Sequence, residues 1–75
     1  MAFKDWHPSP NNRNTRLSFQ LEFRRFNPSV DIEARQYSKY HVIATFFNDQ
    51  NRSFEKKFEK KRDTMKFLKQ FMEYN

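Results

Sequence analysis

Apolar and polar residues alternate without a break from Arg16 to Arg24: Leu17, Phe19, Leu21 and Phe23 fall on one parity, Arg16, Ser18, Gln20, Glu22 and Arg24 on the other. A period of two predicts a strand with one face buried and one in solvent. Asn27-Pro28 closes it. Residues 37–47 are rich in β-branched and aromatic types, with Tyr40, Val42, Ala44 and Phe46 on one parity and His41, Ile43, Thr45 and Phe47 on the other. Apolar groups on both parities predict a central strand, or one whose second face meets a partner. Asn48–Asn51 then supply a turn from residue types that tolerate left-handed geometry. The intervening residues 27–36 leave two readings open. Ser29 could cap a short helix carrying Val30, Ala34 and Tyr37, or Val30, Ile32 and Ala34 could alternate along a loop or edge segment, the reading the pattern slightly favours.

Two identical quartets follow in tandem, Phe54-Glu55-Lys56-Lys57 and Phe58-Glu59-Lys60-Lys61. Both helix and strand would put Phe54 and Phe58 on one face, so charge has to arbitrate. In a helix the pairs Glu55/Glu59, Lys56/Lys60, Lys57/Lys61 and Glu59/Asp63 set like charges four residues apart. Each such pair costs a few tenths of a kcal/mol, partly offset by Lys56/Glu59, Glu59/Arg62 and Lys60/Asp63 at a spacing of three. A third strand, hairpinned to the second, is favoured over one long helix from Ser53. The chain ends in a helix on either reading: Asp63 or Thr64 can cap it, and Met65, Leu68, Phe71 and Met72 form one apolar stripe. So short a helix needs a sheet to lie on. The fold expected is α+β: a three-stranded antiparallel sheet over residues 16–75, a C-terminal helix packed on one face, and a flexible N-terminal arm over residues 1–15.

Pro8, Pro10 and the Asn-rich run after them are why the arm is read as irregular. Phe3 and Trp6 are its apolar exceptions. Trp6 either folds back over an open edge of the core or serves as an anchor that orders on a partner.

Composition limits the chemistry. Seventy-five residues allow one small domain with a thin stability margin. The hydrophobic fraction is low and the mean hydropathy is −1.16, yet ten Phe, three Tyr and one Trp let a few residues bury much area. Cysteine and glycine are absent, which excludes disulfides, thiolate zinc sites, cysteine nucleophiles, P-loops and dinucleotide fingerprints. No apolar run is long enough to span a membrane and no secretory leader pattern opens the chain, so a soluble cytoplasmic protein is expected. His7 and His41 stand apart from any metal-ligand spacing, and the carboxylates are mostly flanked by Lys or Arg, as on a balanced surface. Neither an enzyme nor a cofactor or metal site is expected.

Charge is the informative feature. Of the net +6, a net +5 lies between Arg52 and Lys69, where eight basic residues face three acidic ones. Arg13, Arg16, Arg24, Arg25, Arg35 and Lys39 add positive groups on or beside the first two strands. A charge run is ordinarily a solvated face, but this one is unbalanced and interleaved with rings, as in Phe23-Arg24-Arg25-Phe26. Rings beside cations suit stacking on unpaired bases and contact with phosphates. Arg24, Arg25, Arg52, Lys56, Lys57, Lys60, Lys61 and Arg62 are the candidate nucleic-acid contacts, and Trp6, Ile43 and Phe47 the candidate protein interface.

The order of Tyr40–Phe46, the turn at Asn48–Asn51, a basic strand, and then Phe58–Leu68 resembles the arm-type DNA-binding domains of tyrosine integrases. That resemblance covers about half the chain. It implies a three-stranded sheet against a C-terminal helix, the sheet entering the major groove, with Arg52, Lys56 and Lys60 near phosphates or base edges. The function expected is a small basic nucleic-acid-binding protein, with DNA favoured over RNA, encoded by a phage or other mobile element and acting in the host cytoplasm. The alternative is a protein-binding inhibitor or adaptor, such as a phage-encoded anti-CRISPR-like inhibitor of a host nuclease. It would act through the apolar sheet face of Ile43 and Phe47, which could also serve a homodimer.

Overall fold

The alternating segment does form a strand, and the computed structural model, which describes residues 5–74, builds the rest of the molecule around it. The strands are β1 (His7–Pro8), β2 (Arg13–Asn14), β3 (Phe19–Phe26), β4 (Ser29–Gln36), β5 (Tyr40–Phe46) and β6 (Phe54–Phe58). Helix α1 (Lys61–Tyr74) follows. All pairings are antiparallel: β3, β4, β5 and β6 lie side by side in chain order, and β1 and β2 both pair with the free edge of β3. The α+β architecture with one C-terminal helix is as expected, but the sheet has six strands, not three.

The strand count differs for two reasons. Residues 29–36, read as a loop or edge segment, form an interior strand: Val30, Ile32 and Ala34 are buried while Asp31, Glu33 and Arg35 point to the other face. Three charged residues hid the alternation, since β propensity is low for them and only cross-strand packing decides such a case. Second, the arm does not hang free. His7–Pro8 and Arg13–Asn14 pair with opposite halves of β3, and Asn12 bridges the gap with its side chain. Its Oδ1 accepts from the Glu22 N–H at 2.8 Å and its Nδ2 donates to the Glu22 carbonyl at 3.1 Å. A side-chain amide thus replaces the peptide group that a strand interrupted by Pro10 cannot offer.

The core lies between the sheet and α1. Phe19, Leu21, Val30, Ile32, Ala34, Val42, Ala44 and Phe46 meet Leu68, Phe71 and Met72 there. Trp6 joins them and is only 5% exposed. Its Nε1 donates to the Met72 carbonyl at 3.0 Å, and its ring stands edge-on to Phe71 at 5.9 Å. Trp6 is therefore a core residue and not a surface anchor. Phe3 lies outside the described residues.

Three local expectations are corrected. Leu17 is almost fully exposed, because β3 begins only at Phe19 and Thr15–Ser18 form a turn closed by Thr15 N–H to the Ser18 carbonyl at 2.9 Å. No described residue has positive φ, so Asn48–Asn51 need no left-handed geometry. The chain turns there through a short 3-10 segment at Gln50–Arg52. Thr64 does not cap α1. It is buried in the first turn and its hydroxyl donates to the Lys60 carbonyl at 3.0 Å.

Candidate nucleic-acid interface

Residues paired across an antiparallel sheet share a face, so the register maps charge onto the side away from α1. Nearest one end runs Arg13–Gln20–Arg35–His41–Lys57. The next row inward is Glu22–Glu33–Ile43–Glu55, and the third is His7–Arg24–Asp31–Thr45. Beyond it stand Phe26 and Phe47, exposed on either side of Ser29.

This face neutralises itself. Arg24 pairs with Asp31 at 3.1 Å, Arg35 with Glu33 at 2.8 Å, and His41 Nδ1 lies 3.3 Å from Glu55. The hydrogen bond to Asp31, then its charge, raises the Arg24 pKa; for Arg35 a hydrogen bond with Tyr37 and the charge of Glu33 act the same way. Burial, a hydrogen bond with Asp31 and the charges of Asp31 and Glu33 push Glu22 above the usual carboxylate range, against the pull of Arg24. The two inner rows hold Arg24 alone against four carboxylates, so the net +6 resides outside them.

It resides largely at the end of the sheet beside the first row. The β2–β3 turn, the β4–β5 turn and the β6–α1 junction all lie there. Residues 13–18, 37–39 and 57–63 together carry seven cations (Arg13, Arg16, Lys39, Lys57, Lys60, Lys61 and Arg62) and two carboxylates, Glu59 and Asp63. Among the described residues none of these seven forms an ion pair. Lys61 is held in place, its Nζ donating to Asn14 Oδ1 at 2.8 Å and lying 5.3 Å from the Phe19 ring centre.

The fold therefore divides the eight candidates. It gathers Lys57, Lys60, Lys61 and Arg62. Arg24 is engaged by Asp31, and Arg52 lies at the opposite end over the Phe46 ring at 4.4 Å. Lys56 leans toward α1, its Nζ 5.1 Å from the Phe67 ring centre. Arg25 is buried on the helix side: its Nε donates to the Pro28 carbonyl at 3.2 Å and its guanidinium lies 5.1 Å from the Trp6 ring centre. The alternation already put Arg25 on the parity of Phe19, Leu21 and Phe23, a signal that its charge masked. Arg13, Arg16 and Lys39 join the cluster although the sequence assigned them no site. Only the register brings their turns beside the β6–α1 junction.

Ile43 and Phe47 are exposed on the face away from α1, as a protein interface requires, whereas Trp6 is not. Part of the lysine in β6 has a purely structural use, since charged side chains on an edge strand discourage pairing with another chain. Among the described residues no group of three His, Cys, Asp or Glu side chains could hold a metal ion, and no helix is long and apolar enough to cross a membrane. Comparison of the chain with protein-family models, with curated proteins and with solved structures finds no match in any of the three.

Proposed function

We propose that this protein is a non-enzymatic nucleic-acid-binding protein that holds phosphates at the basic end of its sheet. The observation that carries the reading is the set of seven cations without ion pairs at one end of the fold, against two carboxylates. Such an excess gives a field that attracts polyanions, and Lys and Arg make phosphate contacts irrespective of sequence. The resemblance to integrase arm-type domains implies the sheet face as the groove reader. Glu22, Asp31, Glu33 and Glu55 on that face would repel phosphates, which favours docking by the end and its turns. A phage or mobile-element source and a cytoplasmic setting belong to the same proposal.

Fluorescence anisotropy with labelled DNA and RNA at about 50 and 200 mM salt tests it. Six or seven phosphate contacts imply roughly a thousandfold loss of affinity between those concentrations. Lys60→Glu/Arg62→Glu should abolish binding, and Arg25→Met should leave it unchanged. No binding by the unaltered protein at the lower salt refutes the proposal.

Exposure of Phe26, Ile43 and Phe47 on one face favours a second reading, a protein-binding adaptor or inhibitor whose face meets a host protein or a second copy of this chain. Sedimentation separates self-association from a free face.

A further inference from the structure

We infer that the cleft between the β2–β3 and β4–β5 turns seats an unpaired nucleobase, so that the nucleic acid bound is single-stranded. This rests on reading the basic end as a nucleic-acid interface. The cleft is open to solvent, has a volume of about 390 Å³ and is lined in part by Leu17, Gln20, Arg35, Gln36 and Tyr37.

The cleft's lining is mostly polar, and two apolar side chains stand exposed at it, Leu17 at 98% and Tyr37 at 64%. Tyr37 is nevertheless positioned. Its ring meets His41 edge-to-face at 5.1 Å, and its backbone N–H donates to the Lys39 carbonyl at 2.8 Å. An exposed aromatic ring held in place is a stacking platform that any base can use, because every base has a π-face. Neither the Gln20 nor the Gln36 amide has a hydrogen-bond partner among the described residues. Each offers an acceptor and two donors suited to the edge of a base. Arg13 pairs across the strands with Gln20, Arg16 precedes Leu17, and Lys39 follows Tyr37 by two residues, so cations for the backbone flank the cleft.

This juxtaposition selects single strands. Stacking on Tyr37 and an approach to the glutamine amides both need a base turned out of its stack, which a duplex offers only at the cost of unpairing. The groove between the arm and β3, lined in part by His7, Pro8, Glu22 and Arg24, lacks the flanking cations and gives a polyanion no comparable hold.

The test is anisotropy at about 50 mM salt with a labelled single-stranded DNA, the same sequence as RNA, and the corresponding DNA duplex. Single strands should bind more tightly than duplex, and the DNA-to-RNA ratio identifies the sugar preferred. Tyr37→Ala should weaken single-strand binding roughly 5- to 150-fold, the range of one lost base stack, while Tyr37→Phe retains it and duplex binding stays unchanged. Leu17→Ser, at a side chain that supports no core, should weaken single strands in the same direction. Single-strand affinity within twofold of the original in Tyr37→Ala overturns the cleft. If Lys60→Glu/Arg62→Glu still abolishes binding, that result leaves the interface standing. Absence of binding to all three probes overturns the interface itself.

Discussion

Replacing Trp6 with Ala should bring the domain close to unfolding, although residues 1–15 read as a dispensable arm. Trp6 is buried against Phe71, beneath the Arg25 guanidinium, and its Nε1 donates to the Met72 carbonyl at 3.0 Å. Truncating a buried Trp to Ala costs about 3–5 kcal/mol through lost burial and the cavity left behind. The hydrogen bond forms part of that loss, since Met72 lies in the last turn of α1, where the carbonyl has no intrahelical partner. A domain of this length has a total stability of roughly 4–11 kcal/mol, so one side chain supplies about a quarter of it or more. At about 4–8 °C per kcal/mol the melting temperature should fall by at least ~12 °C. Trp6→Phe keeps a six-membered ring but loses the pyrrole part of the indole with its N–H, so a loss above the ~1–2 kcal/mol of the hydrogen bond and below that of Trp6→Ala is expected. Trp6 is the sole tryptophan, so its fluorescence vanishes in both variants and unfolding should be followed by far-UV circular dichroism in urea. A Trp6→Ala midpoint within about 1 kcal/mol of the original, with an unchanged m-value, would refute the docking of the arm.

The carboxylate row gives a pH-dependent expectation. Glu22 titrates above the ordinary carboxylate range, so its ionised form destabilises the fold at neutral pH, and this penalty is relieved as pH falls through its folded pKa. Glu22→Gln should raise stability at pH 7 by about 0.2–1 kcal/mol, the scale of a cross-strand charge pair. Its amide can also donate to Asp31 Oδ1, which is buried without a partner. The gain should shrink toward pH 4, and a gain that grows on acidification counts against the assignment. On the adaptor reading, Ile43→Ser/Phe47→Ser should convert any concentration-dependent dimer to monomer in sedimentation velocity. A chain that is monomeric throughout the series excludes self-association by that face.

The parts of the fold legible in the sequence are those where one physical signal dominates. Strand β3 announced itself by alternation, and β6 by the like charges that a helix would have stacked. Strand β4 was obscured because Asp31, Glu33 and Arg35 on its open side outweigh Val30, Ile32 and Ala34 in any count of residue types. The arm was misread because Pro8 and Pro10 argue against a ladder, and nothing local shows that the Asn12 side chain can complete one. The candidate site was half legible for a related reason. A run of basic residues along a chain becomes a patch only where turns converge, and convergence is a property of register. That is why Arg52 drops out while Arg13, Arg16 and Lys39 enter; Arg25 drops out by strand parity alone.

The placement of charge on α1 is the strongest physical reason to look for an anion at this end. Backbone dipoles make a helix N-terminus positive, so stability favours acidic residues there and basic residues in the last turn. Here Lys60, Lys61 and Arg62 crowd the N-terminus with Asp63 as the lone acidic residue of the first turn, and the last turn contains no basic residue. Each misplaced charge costs about 0.3–1 kcal/mol at low ionic strength. Lys61 is partly compensated by Asn14 and the Phe19 ring, but Lys60 and Arg62 carry that cost with no ion pair among the described residues, which breaks a local rule where a ligand would offset it. The consequence is a trade-off that separates function from accident. Lys60→Glu/Arg62→Glu should raise the melting temperature by several degrees while it abolishes nucleic-acid binding, so that the loss cannot be ascribed to unfolding. If the same variant gains stability and keeps full affinity, the cations at the start of α1 are a solvated surface and the phosphates are held elsewhere.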